Sequence, residues 1–350
     1  MTLSCRRRGP HALCMGRVGL VLGAGGIAGQ AFHAGVLAAL EAKLGWDARS
    51  ADVIVGTSAG SITAALLRGG VPARDLAAWT TRAPLSAEGR LLEELFGDEF
   101  PELEPLRASH LLRRPSFPGP ALVRRLVLRP WQPPGAGLVL TLLAPGRTDI
   151  SRFLDPLRAV EPSGWHDGDL WICAVRRRDG RRVVFGRPGS PPAPLHLAVA
   201  ASCAVPGYFA PVVIDDVAYL DGGVHSPTNA AVLARQGLDL VVIVSPMSGA
   251  RGLPATVAEV VRRHSALRLG FEVRALRAAG VEVAVFQPDT DVIEAIGGEW
   301  MSRERVDDIT RRAFASAFIR AGRQQVRAAF ARAGGPGPDG SVRPGADRSA

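Results

Sequence analysis

Lysine is almost absent from this chain, so its basic character comes from arginine. Lys43 is the single lysine among 42 Lys and Arg residues, and 33 Asp and Glu leave a formal net charge of +9. Such a charge favours anionic partners, namely phospholipid headgroups, nucleic acids or acidic small molecules. The sequence has no zinc-finger spacing and no basic helix-turn-helix pattern, which argues against nucleic acid. Scattered solvated arginines and a basic patch that faces an anionic membrane both fit this composition.

Cysteine is scarce and is not arranged in pairs. The four cysteines are Cys5, Cys14, Cys173 and Cys203, and none forms a C-x-x-C motif. We therefore expect neither a disulfide framework nor a zinc site. This usage fits a reducing compartment, so we expect a cytoplasmic protein that can associate peripherally with membranes.

The sequence also lacks an apolar run typical of a signal peptide or a membrane span. The first residues are charged and have no sustained apolar core, so 1–14 is predicted to be a flexible arm. LHLAVAASCAVPGYFAPVVI is long enough to span a bilayer, but Pro206, Gly207 and Pro211 divide it into a helix, a turn and a strand. The Pro/Gly-rich segment 334–350 is predicted to be disordered.

Strand patterns followed directly by helix patterns dominate the first 70 residues. GRVGLVLG leads into the helical pattern AGQAFHAGVLAALEAKLG, and a strand at 52–56 leads into a helix that ends near Leu67. Two such units predict an α/β protein with three α/β/α layers and a mainly parallel central sheet. We predict one domain over 15–333, with 82–165 as a cap inserted after the second unit.

The rest of the chain continues the alternation of strands and helices. A hairpin is predicted around Asp179-Gly180, and short strands are predicted to end at Asp221. The further predicted elements are a helix in PLHLAVAASCAVPG, buried strands in LDLVVIVSP and VEVAVFQP, a helix over 254–279 and a last arginine-rich helix over 302–332.

Gly56-Thr57-Ser58-Ala59-Gly60 has the pattern G-x-S-x-G. It follows a strand directly and opens a helix, which is the context of a nucleophile elbow. Gly56 and Gly60 would let the backbone turn tightly, so that the Ser58 hydroxyl projects from the sheet. The alternative is a serine that only caps an ordinary helix.

A serine hydroxyl becomes an effective nucleophile only when a base takes its proton. Among the histidines downstream of the serine are His196, His225 and His264. None of them stands in a catalytic motif, and His225 is interpreted as a neighbour of the site. Asp221, followed by Gly222 and Gly223, is the stronger candidate, although an ordinary Asp-Gly-Gly turn gives the same pattern.

The stretch LVLGAGGIAGQ contains G-x-G-x-x-A at Gly23, Gly25 and Ala28. This spacing is typical of a dinucleotide-binding loop, and it also suits a row of N–H groups that stabilises an oxyanion. A dinucleotide site requires an acidic residue at the end of the second strand. Asp47 has about the right separation from the loop, but it precedes that strand.

Taken in order, GAGGIAG at 23–29, GTSAG at 56–60 and DGG at 221–223 resemble the patatin-like phospholipase family. The segment that leads into that family's aspartate is similar to AASCAVPGYFAPVVIDDVAYLDGG in this chain. The resemblance covers roughly 17–290. It implies that Ser58 is the nucleophile and Asp221 its general base.

The resemblance also implies an oxyanion hole formed by the backbone N–H groups of Gly25, Gly26 and Ile27, in a loop shaped by Gly23 and Gly29. The implied reaction is hydrolysis of lipid acyl esters through an acyl-enzyme on the serine, with neither a metal nor an organic cofactor. The family usually has Arg or Lys in this loop where this chain has Ala28, so the electrostatics of the loop differ.

Three alternatives remain at this stage. The first is an α/β-hydrolase-like esterase that uses a Ser-Asp-His triad. The second is a non-catalytic patatin-like module that interacts with membranes or proteins, and the third is a Rossmann dinucleotide binder. His33 follows the glycine loop and is expected to pack within its helix.

Overall fold

The computed structural model describes residues 16–97, 145–161, 165, 169–249 and 256–334. The predicted arm 1–14, most of the predicted cap 82–165 and almost all of the predicted tail 334–350 lie outside these residues. The described strands are β1 (Val18–Leu22), β2 (Val53–Thr57), β3 (Leu170–Arg176), β4 (Arg181–Phe185), β5 (Val212–Ile214), β6 (Val217–Asp221), β7 (Leu240–Val244) and β8 (Glu282–Phe286).

Helices connect and cover these strands. The described α-helices are α1 (Gly26–Leu44), α2 (Ala59–Arg68), α3 (Ala73–Thr80), α4 (Arg90–Phe96), α5 (Ser151–Leu154), α6 (Leu195–Cys203), α7 (Val257–Ala278), α8 (Thr290–Ile296), α9 (Val306–Ala321) and α10 (Gln324–Arg332). Among them, none is both long and apolar enough to cross a bilayer.

The strands form one mixed sheet in the order β5-β6-β3-β2-β1-β7-β8, with β4 also paired to β3. The strands β3, β2, β1, β7 and β8 run parallel to one another, whereas β4, β5 and β6 add antiparallel pairings. Since parallel strands need helical crossovers, this order accounts for the strand–helix repeats in the sequence. The predicted α/β class with a mainly parallel sheet is confirmed.

Both faces of the sheet are buried. On β1, Leu20 and Leu22 belong to the larger apolar core, and Val21 belongs to a second core on the other face. Alternate residues of a strand point to opposite faces, so an all-apolar strand must be covered on both sides. The helices α1, α2 and α9 contribute to the larger core, and α7 covers the other face through Leu269 and Leu276.

One predicted element is wrong. The sequence pattern over 302–332 predicts a single helix, but the chain forms α9 and α10 with a break at Gly322 and Arg323. Arg323 has an extended backbone with ψ 138°, which ends the helical hydrogen bonding. A Cβ on Gly322 would lie 3.2 Å from Cε of Lys43, so the missing side chain lets α1 approach closely at this break. The hairpin at Asp179-Gly180 and the helix in PLHLAVAASCAVPG form as predicted.

Candidate active site

Ser58 occupies a strained turn between β2 and α2. Its backbone has φ 53° and ψ −125°, a conformation that is unfavourable for residues with a Cβ. A Cβ on Gly56 would lie 2.5 Å from the Cα of Ser61, and a Cβ on Gly60 would overlap the carbonyl oxygen of Leu22. Both flanking glycines are therefore required by close backbone contacts, as the elbow motif predicts.

The sheet brings Asp221 to the same place from the opposite direction. On β3, Cys173 pairs with Thr57 at the end of β2, and the next residue, Ala174, pairs with Asp221 at the end of β6. The other side of β3 is occupied by β4, so β2 and β6 share one side and meet end to end. Because β2 runs parallel and β6 antiparallel to β3, both strands end where they meet. Ser58 and Asp221 therefore lie together at this junction.

The Asp221 turn is held by short backbone contacts. The Asp221 N–H donates to the carbonyl oxygen of Ala204 over 2.9 Å, and the Asp221 carboxylate accepts from the Gly223 N–H over 2.6 Å. A Cβ on Gly222 would overlap the carbonyl oxygen of Cys173, so only glycine fits beside β3. The carboxylate is thus fixed in position by the strand end and by the turn that follows.

Burial controls the protonation of this carboxyl group. Asp221 is 5% exposed, and desolvation raises its pKa to about 7. The Gly223 N–H and the nearby Ser58 hydroxyl act in the opposite direction but offset only part of the effect of burial. A carboxyl group with a pKa near neutrality can accept and return a proton at physiological pH.

Ser202 was not singled out by the sequence, although it lies in the segment AASCAVPG. Its hydroxyl accepts a hydrogen bond from the Ser58 N–H over 2.9 Å and donates to the carbonyl oxygen of Cys173 over 2.7 Å. Ser202 therefore joins the strained turn to β3 through two buried bonds. No local sequence pattern could have found this role, because the contact depends on α6 packing beneath the turn.

Asn229 was also missed, and it joins the two halves of the site. Its Nδ2 donates to Thr57 Oγ1 over 3.1 Å and to the Gly222 carbonyl oxygen over 3.3 Å. Thr57 precedes Ser58, and Gly222 follows Asp221. Asn229 has φ 53°, a left-handed conformation that asparagine tolerates better than most residues. The residue type at this turn is therefore the one signal that the sequence carries.

The glycine loop lies beside both of these turns. A Cβ on Gly29 would be 3.6 Å from Cβ of Ala59, and a Cβ on Gly223 would be 3.6 Å from Cβ of Ala24. The loop therefore runs from the Asp221 turn to the start of α2, next to Ser58.

Within the loop, the backbone N–H groups fall into two sets. Four of them donate to backbone carbonyl oxygens: Gly23 to Val244, Ala24 to Pro227, Ala28 to Trp300 and Gly29 to Gly25. Among the described residues, the N–H groups of Gly25, Gly26 and Ile27 have no acceptor. These three are the donors that the family resemblance implies for the oxyanion hole, and they lie at the start of α1, where N–H groups are exposed and the helix dipole favours negative charge.

Ala28 lies in the interior, where the family usually has a cation. Its side chain is fully buried, and its N–H donates to the carbonyl oxygen of Trp300 over 3.0 Å. A buried guanidinium near the loop belongs to another helix. Arg262 on α7 donates to the carbonyl oxygen of Pro246 over 3.1 Å, and Pro246 packs against Gly25. The loop at Ala28 is thus closed by the 300–301 segment instead of carrying its own charge.

The described electrostatics of Asp221 involve its own turn and the serine. Burial, Gly223 and Ser58 account for the altered pKa of Asp221, with no described histidine among the causes. His33 is fully buried in α1, as expected, and desolvation lowers its pKa to about 3. The described residues also hold no cluster of three or more His, Cys, Asp or Glu side chains suited to a metal ion.

Asp47, the acidic residue that a dinucleotide site would need, is engaged elsewhere. It caps the short 3-10 helix Ala48–Ser50 and forms an ion pair with Arg49 at 2.8 Å. This turn precedes β2, whereas the glycine loop follows β1 at the opposite edge of the parallel strands. Asp47 is thus separated from the loop by the length of a strand.

A strained serine elbow, an aspartate at a strand end and a glycine loop on one mixed α/β sheet define a hydrolase-like site of the patatin type. The model of the family described as patatin-like phospholipase matches residues 20–234. The chain therefore belongs to the patatin-like phospholipase family.

Similar proteins support this assignment. The chain is 31% identical over 275 residues to uncharacterized NTE family proteins of Mycobacterium tuberculosis and Mycobacterium bovis. The match covers 75% of this chain and 59% of those proteins, so the chain spans less than two thirds of the length of these relatives.

Two solved structures match most of this chain, with low TM-scores. VipD from Legionella pneumophila is 11% identical, and the match has a TM-score of 0.39. It covers 87% of this chain and 66% of VipD. The type III effector ExoU is 16% identical, and the match has a TM-score of 0.37. It covers 89% of this chain and 53% of ExoU. At these scores the likeness carries no argument about the site, which rests on the geometry above.

Proposed function

We propose that this chain is a serine lipid acyl hydrolase of the phospholipase A or esterase type, which cleaves carboxylic esters of lipids. The observation that carries the proposal is the meeting of β2 and β6 on β3, which places Ser58 beside a buried carboxyl group. Membership of the patatin-like phospholipase family supports lipid hydrolysis as the general activity.

In the first half of the reaction, the Asp221 carboxylate takes the proton of the Ser58 hydroxyl as the oxygen attacks the ester carbonyl carbon. The carbonyl oxygen becomes negative in the tetrahedral intermediate. The unpaired N–H groups of Gly25, Gly26 and Ile27 stabilise this oxyanion. The protonated Asp221 then gives its proton to the leaving alcohol, and the acyl group stays on Ser58 as an ester.

The second half repeats these steps with water. Asp221, again a carboxylate, takes a proton from a water molecule that attacks the acyl-serine carbonyl carbon. The same loop stabilises the second oxyanion, and the proton returns to Ser58 Oγ as the fatty acid leaves. The pKa of about 7 suits Asp221 to both directions of transfer, since neither protonation state is strongly favoured near neutral pH.

A histidine-dependent triad and a non-catalytic module are the competing hypotheses. Ser58 is among the described causes that set the pKa of Asp221, which supports a two-residue mechanism. A non-catalytic module would have no use for a buried, high-pKa carboxyl group beside a strained serine, because both features reduce stability. Association with an anionic membrane surface remains part of the proposal, since the chain has a net charge of +9.

The test is ester hydrolysis together with covalent labelling of the serine by a fluorophosphonate. Ser58→Ala should abolish labelling, and both Ser58→Ala and Asp221→Asn should lower kcat by about 10³-fold or more. Ser190→Ala and Asp216→Asn are matched controls outside the site and should keep full activity. Retention of labelling in Ser58→Ala would refute the proposal, and complete loss of activity on replacing one of His196, His225 or His264 would favour the triad.

A further inference from the structure

The edge of the sheet opposite Ser58 has a groove in its surface. A groove of about 1170 Å³ opens where β1, β2 and β3 begin, whereas Ser58 follows the end of β2. Six arginines and two aspartates are among the residues that line it. We call this the basic groove, and its charged residues are Arg17, Arg49, Arg68, Arg182, Arg187, Arg235, Asp52 and Asp169.

Half of these arginines are already neutralised. Arg17 lies 3.8 Å from Asp52, and Arg68 lies 3.0 Å from Asp169, so both aspartates of the groove are paired. Arg49 is paired outside the groove with Asp47 and Glu88, at 2.8 and 3.0 Å.

The other three arginines keep their charge unpaired. Among the described residues, Arg182, Arg187 and Arg235 have no carboxylate within 4.0 Å. Arg182 donates to the amide oxygen of Asn229 over 3.2 Å, a neutral acceptor. Arg187 and Arg235 are exposed. The groove therefore presents a surplus of guanidinium groups that face water.

Two further N–H donors of the groove lack acceptors. Nε of Arg68 and Nε1 of Trp171 are buried and have no hydrogen-bond partner among the described residues. Both side chains line the groove, and Trp171 is 5% exposed. Buried donors without partners are uncommon in folded proteins and often mark a place where another molecule supplies the acceptor. The unpaired guanidinium groups that face water call for a ligand rich in negatively charged oxygens.

We propose that the basic groove binds a phosphorylated ligand that carries at least two negative charges. A guanidinium group donates two parallel hydrogen bonds to phosphate oxygens, and a terminal phosphate offers enough oxygens to engage several arginines at once. The groove is separate from the catalytic residues, so this ligand is not the scissile ester. Its phosphate can belong to a soluble molecule or to a lipid headgroup, and both sources present the same chemistry.

The test measures binding directly and does not depend on the proposed activity. Inorganic pyrophosphate is titrated calorimetrically into the Ser58→Ala protein, and sedimentation is measured with phosphatidylcholine vesicles that contain phosphatidic acid. The groove variant is Arg187→Glu/Arg235→Glu. The control variant is Arg305→Glu/Arg327→Glu, which changes the net charge equally at exposed arginines outside the groove.

At low salt the groove variant should bind at least about 10-fold more weakly, and the control should stay within about 2-fold of the parent. Pyrophosphate that displaces the protein from vesicles would identify a lipid headgroup as one source. Pyrophosphate binding without enrichment on phosphatidic acid vesicles would identify a soluble source, and both results support the groove. The proposal would be overturned if both variants bound the probes equally more weakly than the parent, or if the parent bound neither pyrophosphate nor the vesicles. Thermal unfolding checks that each variant is folded.

Discussion

Asp221 should destabilise the folded protein at neutral and alkaline pH, and Asp221→Asn should relieve this cost. Burial raises the pKa of this carboxyl group from 3.8 to about 7, so the folded state holds a proton that the unfolded chain releases. Below about pH 4 both states are protonated and the group has no effect. Between about pH 4 and 7 the folded state binds more protons, so the free energy of unfolding falls as pH rises.

The size of this effect follows from the change in pKa. A rise from 3.8 to about 7 corresponds to at most about 4 kcal/mol, reached above pH 7. Asparagine keeps an oxygen to accept from the Gly223 N–H but cannot ionise. For a chain of this length, 4 kcal/mol corresponds to roughly 5 °C in Tm. Asp221→Asn should therefore melt roughly 5 °C above the wild type at pH 8 and at nearly the same temperature near pH 4.5.

The assay is thermal unfolding of both proteins across this pH range, with Asp216→Asn as a control from the exposed turn before β6. Only the difference between variant and wild type at each pH matters, because other titrating groups cancel. A variant that melts below the wild type at pH 8 would show that the carboxylate is stabilised in the folded state, and the reasoning would be refuted. The rate of fluorophosphonate labelling in the wild type should rise through about pH 7, since only the carboxylate can act as base.

Two further predictions concern groups that hold the site. Ser202→Ala removes the acceptor of the Ser58 N–H, so labelling of Ser58 should slow about 10-fold. Ser202→Thr keeps a hydroxyl and should recover most of the labelling rate. Equal losses of rate in the two variants would contradict this role. Gly60→Ala forces a Cβ onto the Leu22 carbonyl oxygen and should lower the free energy of unfolding by about 3 kcal/mol or more, measured by urea denaturation. Gly298→Ala is the control, because its Cβ would meet no atom within 4 Å, and it should change the free energy of unfolding little. Similar values for the two variants would count against the close contact at Gly60.

Local sequence patterns predicted most of the fold. The strand before Ser58 and the helix after it were predicted to within a residue or two, because apolar periodicity and small turn residues act over short distances. The break between α9 and α10 was missed for the opposite reason. Gly322 at this break lies against Lys43, which comes from a helix far away in the sequence, and no pattern within 302–332 contains that contact.

The candidate site divides in the same way. Ser58 and Asp221 were predicted from short motifs that depend on local backbone geometry. For Ser58 this is a tight turn after a strand, and for Asp221 it is an Asp-Gly-Gly turn at a strand end. Ser202 and Asn229 had no motif, since each acts by bridging segments that only the sheet brings together. The roles of Gly25, Gly26 and Ile27 as oxyanion donors stay a prediction, now supported by the absence of described acceptors for their N–H groups.

By itself, the sequence determined most of the elements, the family and the two residues proposed for the chemistry, because each motif or apolar pattern involves residues close together in the chain. Tertiary structure alone decided that β2 and β6 end against each other on β3, since strand register is set by packing over the whole sheet. It also decided the pKa of Asp221 and the assembly of arginines into the basic groove, because burial and proximity between distant segments exist only after folding.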